Sequence, residues 1–108
     1  MLFRSAITSA QPSELLPGLP TIAASGVPGY ESVSIYGMFA PARTPAAVVS
    51  RLNKEVLALL NSAEIRDKFL GSGVEPATST PEQLAALMKS EMVRLGKVIK
   101  DAGLRAEP

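Results

Sequence analysis

The sequence predicts a small α/β fold: two or three short strands, two long helices and one or two short ones. Three observations predict it. Of the nine prolines, Pro12, Pro17, Pro20, Pro28 and Pro41 precede residue 42, a density that forbids long helices there. Glu31 to Ala40 is rich in β-branched and aromatic residues. Beyond it, two Thr-Pro pairs, Thr44-Pro45 and Thr80-Pro81, each open a segment with apolar residues at helical spacing.

In order along the chain, Leu2 to Thr8 reads as a short strand. Gln11 to Pro20 is an irregular connection that Leu15, Leu16 and Leu19 anchor. Thr21 to Gly26 fits one or two helical turns, with Thr21 as cap and Gly26 as left-handed stop. Val27-Pro28-Gly29-Tyr30 is a tight turn. Glu31 to Ala40 is the best strand candidate: Val33 and Ile35 alternate with Ser32, Ser34 and Tyr36. Gly37 interrupts it, as at a bulge or a close backbone approach.

Thr44 caps the next helix with Pro45 at its first position, where a missing N–H costs nothing. Val48, Val49, Leu52, Val56, Leu59 and Leu60 form its apolar stripe through about Asn61. Arg51 and Glu55 face each other across one turn. Ser62 caps a second, short helix, Ala63 to Leu70, with a Glu64–Lys68 pair outward and Gly71 and Gly73 as its stop. Val74 to Ala77 is a short strand or extended link, limited by Pro76. Thr80 and Gln83 predict a capping box on a long helix whose apolar face is Leu84, Leu87, Met88, Leu95, Val98 and Ile99. Gly103 ends it.

Composition excludes several function classes. Cysteine and histidine are both absent. Thiol chemistry, disulfides, Cys/His metal sites and imidazole-based triads are therefore excluded. Lys+Arg is 11 against Asp+Glu 10, a net charge of +1, which argues against a nucleic-acid partner. The charge-free run Ser32 to Ala42 is broken by Gly37 and Pro41 and is far short of a bilayer span. Met1 to Thr8 shows no basic region followed by a signal-length apolar stretch, which at face value implies the cytoplasm.

No catalytic constellation emerges, so no enzyme, metal or cofactor is expected. Glu64 and Asp67 share a helix face, but Arg66 and Lys68 surround them, as on a solvated surface. Glu91 flanks the apolar stripe of the last helix. Gly71-Ser72-Gly73 lacks the strand–loop–helix context of a phosphate loop. Ser5, Thr8 and Ser9 have no base to activate them. Ser34-Ile35-Tyr36-Gly37-Met38-Phe39-Ala40-Pro41 is the segment that stands out. An aromatic, a glycine and free backbone groups suit a ligand cleft; packing of Tyr36 in a core is the other reading.

Leu16-Pro17-Gly18-Leu19-Pro20-Thr21-Ile22-Ala23-Ala24-Ser25-Gly26-Val27-Pro28-Gly29-Tyr30 resembles the "LPdvPTiaEaGvpGYe" signature of Bug-type solute receptors of tripartite tricarboxylate transporters. Tyr36 to Pro45 is similar to "yGlfaPagTP", Val49 to Val56 to "vdrLNaev", and Gly73 to Pro76 with Ser79 to Glu82 to "Gaep…sTPeefa". The resemblance runs in unbroken order from about Ser5 to Gly103. Ala24 stands where that family usually has Glu, and Arg43 where it usually has Gly.

The resemblance implies the C-terminal part of a two-domain Venus flytrap fold. Residues 1–40 would be a strand-rich segment of the second lobe and the interdomain crossing; residues 41–108 would be a helical part packing on the first lobe. It implies a periplasmic receptor for small carboxylates that is presented to a membrane permease. Tyr36 and Gly37 would face the ligand, which is held by backbone N–H groups, hydroxyls and water. The missing N-terminal part of the receptor is then a partner of this chain. The alternative is an α/β interaction module without a ligand site, forming a homo-oligomer through its exposed apolar faces.

Overall fold

The computed structural model describes residues 5–105. Its helices are α1 (Ala46–Leu60), α2 (Ala63–Gly71) and α3 (Pro81–Asp101), preceded by a single 3-10 turn at Ala23–Ser25. The described residues fall into two compact units. One comprises those up to Ala42 together with Ser62–Pro76, and the other Arg43–Asn61 together with those from Ala77 onward. Helix α2 therefore groups with the N-terminal segment.

The first unit is tied by short-range polar geometry. The expected strand at residues 2–8 is reduced, over its described part, to one parallel bridge between Ile7 and Thr21. The Ile7 amide donates to the Pro20 carbonyl, and the Ile22 amide to the Ile7 carbonyl, both at 2.9 Å. Residues 2–4 of that expectation lie outside the described residues. Thr21 is 5% exposed and is the one buried residue among those described. Its Oγ1 accepts from the Ala24 amide at 3.1 Å, and the Ser25 hydroxyl donates to its carbonyl at 2.7 Å. The Thr21 hydroxyl thus serves the start of the 3-10 turn, although the cap position itself is Ile22, and Gly26 ends it in the left-handed region.

Two Pro-Gly turns flank this element. The Leu19 amide closes on the Leu16 carbonyl across Pro17-Gly18, and the Tyr30 amide on the Val27 carbonyl across Pro28-Gly29. Gly18 and Gly29 have φ of 88 and 77°, the positive value that the third residue of a type II turn needs. Leu15, Leu16 and Leu19 are half-buried, in agreement with their role as anchors.

In α2, Ser62 holds the cap position through its backbone, and its carbonyl accepts from the Arg66 amide at 3.0 Å. The cap bond from its side chain is not made. Lys68 and Glu64 pair at 2.6 Å one turn apart. The helix closes with a Schellman motif: Gly73 N–H to Leu70 C=O at 2.9 Å and Val74 N–H to Phe69 C=O at 3.0 Å. Residues 74–77 run on as a link without regular structure.

In the second unit, α1 begins one residue later than expected. Pro45 has ψ of 137°, outside the helical region, so it is the cap and Ala46 the first helical residue. Its carbonyl accepts from the Val48 and Val49 amides at 2.9 and 3.2 Å. The Arg51–Glu55 pair does not close among the described residues. Helices α1 and α3 pack on each other, and Asn53 Nδ2 donates to the Ser79 carbonyl at 3.0 Å just ahead of α3.

Helix α3 has both ends closed by its own residues. The Gln83 amide donates to Thr80 Oγ1 at 3.2 Å, and the Thr80 amide to Gln83 Oε1 at 2.9 Å, the predicted capping box. At the other end, Gly103 N–H donates to Lys100 C=O and Leu104 N–H to Ile99 C=O, both at 3.1 Å. This is a second Schellman motif. Glu91–Arg94 and Lys97–Asp101 pairs lie along its surface.

The expected helices are present, but the expected strands are not formed among the described residues. Residues 30–41 carry no regular secondary structure, so Glu31 to Ala40 is not a strand among the described residues. A ladder needs a neighbouring strand to exchange bonds with, and the described chain supplies none there. Nor do the described residues enclose a core. No hydrophobic side chain among the described residues is buried, although 46% of the sequence is hydrophobic. Met92 and Val93 on α3 are 72 and 75% exposed.

Candidate functional site

The segment that the sequence singles out, Ser34 to Pro41, lies between the Pro28-Gly29 turn and α1. Its start is fixed by one bond, from the Ser32 amide to the Thr8 carbonyl at 2.9 Å. Beyond it, residues 33–40 take part in no hydrogen bond within the described structure. Tyr36 is 86% exposed, so it packs in no core among the described residues. Gly37 is also exposed, and Met38 and Phe39 are large apolar residues open to solvent beside it. The segment ends just before Arg43, which has φ of 71° and is the one non-glycine residue with positive φ among those described.

A second feature was not legible in the sequence. A shallow cleft of about 250 Å3 is lined by Pro12, Glu14, Arg66, Glu75 and Pro76. Glu75 Oε1 accepts from the Ser13 hydroxyl at 2.6 Å and from the Glu14 amide at 2.9 Å. Arg66 Nη2 donates to Glu14 Oε2 at 2.6 Å. The carboxylate of Glu75 thereby clasps the irregular N-terminal connection to the link after α2. Arg66 Nη2 is engaged by Glu14, and two of the three ionisable side chains in the lining are carboxylates, so the cleft is a structural tie that disfavours an anion. No periodicity could have indicated a contact across 61 or 62 residues.

The remaining candidates resolve into structural roles. Glu64 is paired with Lys68, and no cluster of metal-ligating side chains that includes Asp67 forms among the described residues. Gly71-Ser72-Gly73 is the stop of α2. Ser9 donates to the Gln11 carbonyl at 2.7 Å in a local turn. Glu91 is gripped by Arg94 through both oxygens, at 3.0 Å to Nε and 2.6 Å to Nη2. Those bonds hold its carboxyl below the ordinary carboxylate range. At the start of α3, a bond from its own backbone amide and one from Thr80 hold Glu82 low as well.

Residues 2–104 match the family described as "Tripartite tricarboxylate transporter family receptor". A UPF0065 protein from the tcbD-tcbE intergenic region of Pseudomonas sp. strain P51 is 40% identical over 101 residues, covering 93% of this chain and 30% of that protein. Protein BugT of Bordetella pertussis is 27% identical over 100 residues, covering 93% of this chain and 31% of its own length. A solved structure, "R. palustris Rpa4515 with adipate", superimposes with a TM-score of 0.75 at 40% identity, over 91% of this chain and 33% of that one. The chain thus spans about a third of the length of these three proteins.

Proposed function

Because the chain belongs to the receptor family of tripartite tricarboxylate transporters, we propose that it is a portion of a periplasmic receptor that captures small carboxylates for a membrane permease. The match over residues 2–104 carries this reading, and the adipate-bound structure of a 40% identical neighbour gives it a ligand class. Residues 1–40 belong in this reading to the second lobe and the crossing between lobes, and residues 41–108 to the helical cover of the first. Helices α1 and α3 are scaffold. The segment through Tyr36 and Gly37 is the ligand-side element.

The chemistry of that segment suits the assignment. A phenol hydroxyl and unpaired backbone amides are donors, as a carboxylate requires, and a glycine lets a ligand approach the backbone closely. No cationic side chain is needed where several neutral donors converge. Tyr36, Met38 and Phe39 are largely exposed, and binding needs a second wall to exclude water.

Isothermal titration with adipate and a panel of di- and tricarboxylates tests the proposal. The chain alone is expected to bind none of them at micromolar concentration. Joined to the portion of the R. palustris receptor that it does not match, it is expected to bind at least one. Failure of the joined protein, shown to be folded, to bind any organic acid overturns the receptor reading.

A further inference from the structure

We propose that the outward face of α3 made by Lys89, Met92, Val93, Gly96, Lys97 and Lys100 is a docking surface for an acidic helix of a partner protein. The proposal goes beyond the receptor reading, which names a permease but no surface to meet it, and its evidence lies on α3 alone.

These six residues recur at i, i+3, i+4, i+7, i+8 and i+11, so they form one continuous helical face. Leu84 and Glu91, the half-buried residues of α3, lie on the opposite side. Met92 and Val93 are 72 and 75% exposed, against 40, 44 and 46% for Leu87, Met88 and Leu95. Gly96 lies beside them on the same face. Glycine weakens a helix interior relative to alanine, yet a Cβ at Gly96 would meet nothing within 4 Å among the described residues. Its smallness serves no contact among them. Cations stand around these three residues. Lys97 pairs with Asp101, whereas Lys89 and Lys100 have no acidic partner among the described residues. Glu82, the nearest acid on the same row, lies about two turns before Lys89.

Charge and shape identify the occupant. An apolar centre inside a charged rim is the anatomy of a protein interface. The rim here is cationic, so the complementary surface is acidic. Lys89 and Lys100 are about 17 Å apart along the axis at 1.5 Å per residue. A partner helix covers that length in three turns, with acids towards its ends and an apolar residue between. Gly96 lets the partner's backbone come close, because the separation of packed helices is set by the side chains at their contact. A lipid surface is the poorer match. A helix that lies on a membrane needs a broad apolar face with Trp, Phe or Leu, and this face has only Met92 and Val93.

The test uses this chain and three probes. They are a fluorescent helical peptide of about 20 residues with leucines flanked by glutamates, the same peptide with lysines in place of the glutamates, and vesicles of phosphatidylglycerol. By fluorescence anisotropy, the glutamate peptide is expected to bind about tenfold or more tighter than the lysine peptide, and to weaken as salt rises. Lys89→Glu with Lys100→Glu is expected to reverse that preference, and Lys89→Gln with Lys100→Gln to abolish it. Gly96→Leu is expected to raise the thermal midpoint and to weaken binding about tenfold or more by holding the partner off. Helical circular dichroism checks that each variant is folded. The inference is overturned if the glutamate peptide does not bind, or if both peptides bind alike, which would place them on an apolar face elsewhere. It is equally overturned if the charge reversal leaves the preference unchanged. Cosedimentation with the vesicles, without binding of the glutamate peptide, overturns it in favour of a lipid surface. The carboxylate titration is independent of these results: its failure would remove the receptor reading and leave this surface standing.

Discussion

Replacing Arg43 by glycine should stabilise the protein. Arg43 sits at φ of 71°, where a Cβ crowds the neighbouring carbonyl oxygen at a cost of roughly 1–2 kcal/mol for an L-residue. Glycine removes that crowding but leaves the unfolded chain freer, which takes back roughly 0.5–1 kcal/mol. The difference spans about 0–1.5 kcal/mol and centres on a net gain of about 0.5–1 kcal/mol. For a chain of this size, that raises the unfolding midpoint by roughly 2–8 °C. The assay is thermal unfolding followed by circular dichroism at the helical band, with Arg43→Ala as control. Alanine shortens the side chain but keeps the Cβ, so its midpoint should stay at or below that of the parent. A glycine variant no more stable than the alanine variant would refute the reasoning. The glycine usual at this position in the family's "yGlfaPagTP" stretch fits the same cause.

Other expectations follow from the caps and ties. Thr80→Ala removes the acceptor for the Gln83 amide and should cost about 1 kcal/mol in denaturant unfolding. Glu75→Ala frees the Ser13 hydroxyl and the Glu14 amide and should cost about 1 kcal/mol. Glu75→Gln keeps an accepting oxygen and should lose less by the same measurement. The Glu91 carboxyl is held low by Arg94, so the pair's contribution is present above the ordinary carboxylate range and fades as pH falls through the depressed value. A carboxyl-carbon NMR titration should show Glu91 titrating below a free glutamate, and Arg94→Leu should return it upward. Tyr36→Ala should leave the stability of this chain within about 0.5 kcal/mol, as for an exposed side chain, and lower carboxylate affinity once the chain is joined to the rest of a receptor.

Features encoded within a few residues were legible in the sequence. The capping box at Thr80 and Gln83, the Thr21 hydroxyl bond at the start of the 3-10 turn, the Pro28-Gly29 turn and the Glu64–Lys68 pair all formed as read. Each depends on a spacing of three or four residues and on local backbone preference. Features that need a distant partner were not legible. Val33, Ile35 and Phe39 have strand propensity, but propensity describes fitness for a half-buried pleated surface. Without a neighbouring strand the residues remain unpaired. The Glu75 clasp failed to register for the converse reason: its donors are remote in sequence, and a single Glu before a proline carries no signal of what it will bind. Tyr36 and Gly37 could be placed on a segment, but not in a pocket, because a pocket is a property of two surfaces.

The same distinction explains how well-defined helices form although no apolar side chain is buried among the described residues. Amphipathic helices normally owe most of their stability to packing. Here α3 has its first turn closed by a capping box, its last by a Schellman motif, and ion pairs between. These terms are each about 0.3–1.5 kcal/mol and do not depend on anything covering the apolar stripe. Leu87, Met88, Leu95, Val98 and Ile99 can then stay exposed without the helix dissolving. On that basis, amide protection in the free chain should be highest in the capped interior of α3 and lowest across residues 33–40, which have neither a cap nor a ladder. Equal protection in the two would mean that helix and segment open together, and that the local caps do not hold α3 independently.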